Sequence, residues 1–514
     1  MKSPMLKISC ALLMLVIAAG CAKEVRILPR VKITNPVSPL SGNAVIAFVL
    51  QDRDARDADI VCEYSLDLGT TYLPAAAGPG CENTANLASS LSGIAHAFVW
   101  NTSADLGNAS IGPICFRITP YINTTAGHLD VSTAFYVRNY EFSGASGGAS
   151  LDNAADAASP VAFAADNADV LYAAWADGRG AARRIYLAKS LDGGVSFAPG
   201  TIAAAPSDNL ANQDSPVLCA GNASEIYLAW VESTANSSKI RFARTIDSAA
   251  SFSPAVDVKT PASGETQSEP HMVFDLGEKQ IYISYTSAIS NSSNLFTVRS
   301  DNGGASFQRF TISGEDGNQS AAMLAHGRGD FLYAVWTDDR SGNSAVYSGM
   351  SYYDAVSFKN INTVAPLLGG SKQTHPVVCA GAEGYVFAAW LGETTLNNCV
   401  YLSRSDVSAK TFETPQMISA AIVNATGLSM AADRAGKIYL VCSEISVPGS
   451  TVRLVALDET DFPPNIGTMT IYDIATSTVA NSRPAVYVNK NGVPVIFWLD
   501  DVSGNLEPFS AVGQ

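Results

Sequence analysis

A pattern that returns about every 54 residues constrains this chain more than any other feature. An aromatic residue usually closes a short apolar run. The run recurs as Tyr172-Ala-Ala-Trp175, Tyr227-Leu-Ala-Trp230, Tyr282-Ile-Ser-Tyr285, Tyr333-Ala-Val-Trp336, Phe387-Ala-Ala-Trp390, Tyr439-Leu-Val-Cys442 and Val495-Ile-Phe-Trp498. A second anchor lies 14 or 15 residues before each: Pro160, Pro216, Pro270, Ala322, Pro376, Leu428 and Pro484. Both anchors advance by 51 to 56 residues. Two independent rulers with one period predict a propeller or a linear array.

Four strands fit inside the first unit: Val161–Ala165, Val170–Trp175, Arg184–Lys189 and Pro199–Ala204. Four antiparallel strands make one propeller blade. The 40 glycines and 24 prolines supply the turns that such a chain needs. The seventh unit has room for about three strands before Gln514. An open last blade would expose unpaired edges. The missing outer strand is therefore expected near Tyr140–Gly147, giving seven blades. Six blades and an appendage is the alternative. The expected class is all-β, with the propeller over residues 140–514.

Residues 31–139 carry a different pattern. Short runs at Ala44–Leu50, Ile60–Ser65, Ala95–Trp100, Ile114–Pro120 and Ala134–Val137 are separated by turn residues. They predict a β-sandwich of about 110 residues. The stretch resembles fibronectin-type-III and Ig-like modules. Asp52, Asp54, Asp57 and Asp59 crowd one loop, and calcium uses such oxygens. Arg53 and Arg56 interleave with them, so a solvated turn is the competing reading.

The first twenty residues read as an address. Lys2 and Lys7 precede an almost unbroken apolar run, Ile8 to Ala19, too short to span a bilayer as a mature helix. Ala18-Ala-Gly-Cys21 follows. This resembles a bacterial lipoprotein signal, except that the Ile at 17 stands one place earlier than usual. The resemblance implies cleavage before Cys21, acylation of that cysteine, and residues 21–30 as a tether to the membrane. Ala22 in place of Asp implies the outer membrane. The orientation of the anchored protein is not encoded.

Seven cysteines remain: Cys62, Cys81, Cys115, Cys219, Cys379, Cys399 and Cys442. Cys62 has Cys81 or Cys115 as a candidate partner. Cys219 and Cys379 share one repeat position and read as small buried hydrophobes. No spacing suggests a zinc site, and no cofactor is implied. The net charge of −15 excludes the basic footprint of a nucleic-acid binder.

The turn between the third and fourth strands carries a motif. Ser190-Leu-Asp192-Gly-Gly194-Val-Ser196-Phe197 has the form S-x-D-x-G-x-[ST]-[FW]. Asn302, Gly304 and Phe307 repeat it in the third unit. Asp247 and Phe252 keep it in the second without the glycine. Ser65 to Tyr72 in the N-terminal domain holds another. Units four and five keep the leading Ser, the late Ser or Thr, and the Phe. The motif resembles the Asp box of the BNR repeats in bacterial neuraminidases, and implies a sialidase-like propeller. That family uses three arginines for a substrate carboxylate, an aspartate as acid/base, and a tyrosine–glutamate pair as nucleophile.

Those groups lie on the face formed by the second-to-third and blade-to-blade loops, opposite the boxes. Arginine is scarce there: Arg179, Arg340 and Arg483 are the candidates, and Ser482-Arg483-Pro484 lacks most of the family signature. Arg179 and Arg340 recur in Trp-x-Asp-x-Arg, which predicts local ion pairs. The same loop position is acidic in six units: Asp177, Glu232, Asp338, Glu393, Glu444 and Asp500. Either these carboxylates cap their own turns, or they form an acidic ring. His271 and His375 stand at inner-strand entrances. The expectation is a non-catalytic platform for a glycan or a protein. A sialidase-type glycoside hydrolase and a structural part of an envelope complex are the alternatives.

Overall fold

A computed structural model of the chain describes residues 28–513, leaving aside 141–142, 144–147, 153–154, 158, 167, 169, 204–209, 222–223, 276, 328–330, 353–356, 366–371, 394–396, 407–409, 419–423, 447–448, 465–470, 478–482 and 502–504. The expected signal segment and Cys21 lie outside the described residues.

The second strands of the repeats explain why the pattern is so regular. In Leu171–Asp177 every residue is buried. Ile226–Ser233 and Val386–Glu393 are buried at every residue but the last. A strand covered on both faces reads as a continuous apolar run rather than an alternating one. Alanines at 173, 174, 229, 388 and 389 let neighbouring sheets approach, while Trp175, Trp230, Trp336 and Trp390 fill the space between them.

Seven four-stranded antiparallel sheets result. Their inner strands are Ala162–Ala165, Asn212–Ala220, Glu265–Asp275, Gln319–His326, Lys372–Ala380, Ala425–Ala432 and Ala485–Val488, for blades 1 to 7. The inner strands touch in sequence, and that of blade 7 touches that of blade 1. The ring is a seven-bladed propeller, closed as the edge argument requires. Ala149–Ser150 supplies the outer strand of blade 7, pairing Ala149 with Ser510. This lies two residues beyond the predicted segment, most of which falls outside the described residues.

The N-terminal unit packs two sheets face to face. Arg30–Ile33, Asn43–Gln51 and Ile94–Asn101 form one. Asp59–Ser65 and Ser110–Ile122 centre the other. Strict alternation in Asn43–Gln51 buries Ile46, Phe48 and Leu50 against Trp100, Phe116 and Ile118.

Strand connections alternate between the two faces of a propeller, so the unit's position decides which face stays open. The Ser110 amide donates to the Asn491 carbonyl (2.7 Å), in the turn after the inner strand of blade 7. Arg138 pairs with Asp458 and donates to the Ala435 carbonyl, both of blade 6. A Cβ on Gly492, at φ +79°, would stand 2.4 Å from Ser110 Cβ. Glycine is required there by both conformation and contact. The N-terminal unit thus covers the face of the first-to-second and third-to-fourth turns. The opposite face is left clear of it.

Two alternatives that the sequence left open are not realised among the described residues. Asp52 belongs to an ion pair with Arg56 (2.7 Å) and also accepts from the Asp54 amide, while Asp59 accepts from the Asn86 amide. Among the described residues no three acidic, histidine or cysteine side chains converge. Asp52, Asp54, Asp57 and Asp59 therefore form no calcium cage. Cys62, Cys81 and Cys115 are free thiols, as are the other four described cysteines. Burial pushes the thiol pKa of Cys219 up to about 12.

Candidate functional site

The third-to-fourth turns hold themselves together. Ser190 Oγ donates to Asp192 Oδ1 (2.7 Å) and accepts from the Gly194 amide (2.8 Å). Asp192 Oδ1 accepts from the Ser196 amide (2.9 Å). The same bonds recur at Thr245–Asp247, Ser300–Asn302 and Ser65–Asp67. In blade 2 the glycines are gone, and Ser248 and Ala249 take positive φ themselves. Hydrogen bonds, first from Ser251 and then from Thr245, hold the Asp247 carboxyl down at about 2. Phe197 and Phe307 pack edge-on against Phe497 and Phe242. All these groups are spent on the turns.

On the open face, two of the candidate arginines are equally committed. Arg179 donates from its backbone, Nε and Nη2 to Asp177, and from Nη2 to Asp152 (2.9 Å). Trp175 Nε1 donates to the same Asp177 carboxylate (2.8 Å). Burial raises the Asp177 pKa, but the bonds from Arg179 and Trp175 outweigh it and the carboxyl sits below its usual range. Arg340, Asp338 and Trp336 reproduce the arrangement in blade 4. Asp177, Glu232 and Asp338 are 1%, 3% and 0% exposed, so they present no acidic ring to solvent. Glu232 lies 3.8 Å from Arg241, and Glu444 pairs with Arg453 at 2.7 Å.

Blade 5 departs from this rule. Glu393 accepts from Thr374 Oγ1 (2.7 Å), and among the described residues no arginine or lysine pairs with it. His375 Nδ1 lies 3.1 Å from the same hydroxyl. A hydroxyl has one proton, and a carboxylate only accepts. Thr374 therefore gives its proton to Glu393 and accepts from His375 Nδ1–H. In the neutral imidazole this leaves Nε2 as an acceptor.

The backbone places these side chains. The inner strands of blades 2 to 6 each slip register just before the second anchor, in blade 5 between Thr374 and Val377. Ser215, Glu269, Ala321, His375 and Gly427 sit at the bulges with positive φ, and Arg483 shares that conformation at the entrance to blade 7. A bulge re-aims a side chain, here at a cost of about 1–3 kcal/mol for a non-glycine residue. Glu269 uses its position structurally, accepting from the Ala321 amide (2.8 Å) and Thr286 Oγ1 (2.7 Å).

His375 and Arg483 line one pocket of about 450 Å³ on the open face. Glu393, Asn398 and Thr426 add polar groups, and Leu391, Leu428, Pro160 and Pro484 form its apolar wall. Donors, acceptors and a small apolar floor suit a hydroxyl-rich ring. Of the sequence candidates, the structure brings Arg483 and His375 together and leaves Arg179 and Arg340 in their own loops.

Thr374 and Asn398 went unread in the sequence. So did a row of buried glutamines. Gln213, Gln267 and Gln373 accept from the amides of Ile185, Ile240 and Val346 in the preceding blade. Their signal was present: each stands three residues before an anchor proline.

No protein-family model and no curated protein sequence matches this chain. Solved structures do. A polysaccharide lyase, the PL25 ulvan lyase bound to a GlcA(1-4)Rha3S fragment, is 10% identical. The match has a TM-score of 0.51 and covers 72% of this chain and 96% of that one. The Hadza microbial sialidase Hz136 is 13% identical, with a TM-score of 0.46, covering 94% of this chain and 99% of that one. An α-L-arabinanase of Penicillium chrysogenum complexed with arabinobiose is 10% identical, with a TM-score of 0.44, covering 72% and 98%. At these identities the likeness is one of fold. Its seven sheets make the chain a β-propeller, and the match to the lyase is a likeness of fold.

Proposed function

We propose that this is an exported, lipid-anchored envelope protein whose propeller binds a saccharide on its open face without cleaving it. The reading rests on one observation. Blade 5 frees the carboxylate that arginine takes in blades 1, 2, 4 and 6, and presents it with His375 in a pocket that Arg483 also lines. Glu393 and His375 Nε2 accept from sugar hydroxyls, Asn398 and Arg483 donate, and the leucine and proline wall meets the C–H face of the ring. The arginine side chains at 179 and 340 are absorbed by their own loops, which speaks against a triad of arginines. Acylation of Cys21 and residues 21–30 would hold the molecule at the outer membrane, with the N-terminal unit between membrane and propeller.

The soluble chain, residues 22–514, applied to an array of glycans tests this. Binding is expected, and Glu393→Gln and His375→Ala should each weaken it at least tenfold with the melting temperature unchanged. Two lost charge-assisted or neutral hydrogen bonds account for a factor of that order. Release of sugar from aryl glycosides, abolished by Arg483→Ala, would instead make the protein a hydrolase. Retention of a protein partner with no glycan bound would make it a structural component.

A further inference from the structure

The pocket continues below its floor. Pro160, Leu428 and Pro484 line it and also line a second cavity of about 510 Å³ between the inner strands. Val161, Phe163, Val217, Met323, Val377 and Met430 make this shaft largely apolar. Three of its polar side chains bond to the walls themselves. His271 Nδ1 accepts from the Leu324 amide (3.1 Å), and burial holds its pKa down at about 4, so the ring is neutral. Ser429 Oγ accepts from the Val486 amide (3.2 Å). Glu269, the one carboxylate in the wall, takes the Ala321 amide and the Thr286 hydroxyl.

A polar mouth above an apolar shaft matches an amphiphile. We propose that the ligand is a sugar carrying an alkyl or acyl chain, with the sugar in the mouth and the chain in the shaft. The proposal rests on the saccharide reading of the mouth. The shaft's volume lies within the range of about 300–1,000 Å³ usual for small-molecule sites. An apolar chain there leaves no buried charge facing it unpaired, whereas a second sugar would lie against a wall that is mostly apolar.

Calorimetry on residues 22–514 with alkyl β-D-glucosides and β-D-glucuronides, from methyl to octyl and below micelle-forming concentrations, tests it. Each added methylene should tighten binding up to about fourfold until the shaft is full. Met323→Lys should flatten that slope and leave the methyl glycoside unaffected. The series on the unaltered chain decides the matter whether or not the variant folds. A methyl glycoside that binds with no gain from longer chains overturns the shaft and leaves the mouth standing. Octanol binding as tightly as the octyl glycosides overturns the amphiphile. Failure of the saccharide reading looks different: Glu393→Gln would leave every affinity unchanged. Absence of binding by any member overturns both.

Discussion

Blades 4 and 5 place a carboxylate at the same point of the same fold and use it in opposite ways. Asp338 is wholly buried, takes Trp336 Nε1 and forks with Arg340. Glu393 takes one threonine hydroxyl and turns toward a pocket. A repeat keeps its local network where that network holds the blade together. It relaxes the network where a side chain has other work. In a chain with seven copies of one unit, the departure from the average copy carries more information than the average itself.

The sharpest way to break this comparison is Asp338→Ala. It strands a mostly buried guanidinium and an indole N–H, and should cost about 3 kcal/mol or more in urea unfolding. A loss near zero would show that the blade 4 network contributes nothing and that its contrast with blade 5 is empty.

A third carboxylate extends the contrast to the covered face. Glu459 accepts from the Glu383 amide (2.9 Å), and its Oε2 is buried without a hydrogen-bond partner. Burial pushes its pKa up from 4.5 to about 7. The folded state therefore holds a proton that the unfolded state releases between these values. Stability should fall as pH rises from about 4.5 to 7 and stay low above, through this group. Glu459→Gln should flatten that part of the profile and raise stability at pH 8 by on the order of 1–3 kcal/mol. Melting temperatures across the window check it. A variant that melts lower than the parent at pH 8 would reverse the sign.

The smallest effect belongs to Glu393→Gln. It should move unfolding by no more than about 0.5 kcal/mol, because a surface carboxylate with one hydrogen bond supports little. A loss comparable to that of Asp338→Ala would make Glu393 a structural residue after all.

The propeller was legible because its second strands are buried on both sides, which writes an apolar run and an aromatic into every unit. The closing strand was anticipated from edge exposure alone, but not its register: two residues, Ala149 and Ser150, carry no pattern. The pocket was half legible. His375 and Arg483 stood out by residue type and position. Thr374 did not, because a threonine in a strand looks like any other. Its role depends on a register slip that brings its hydroxyl between a glutamate and a histidine. The acid-rich loop at Asp52 shows the same limit. Composition shows the acids in one loop, and only geometry shows that Arg56 already holds the first of them.

The closing strand also sets a schedule. Ser150 Oγ meets Glu507 across 357 residues of sequence. Such a contact is the costliest to form by diffusion of the chain and the last to be rewarded. A ribosome delivers the first six blades before the residues that complete the seventh exist outside it. Until then the ring has a free seam. A cell that makes this protein must shield that seam for as long as threading lasts, and cleavage at either end of the propeller would reopen it.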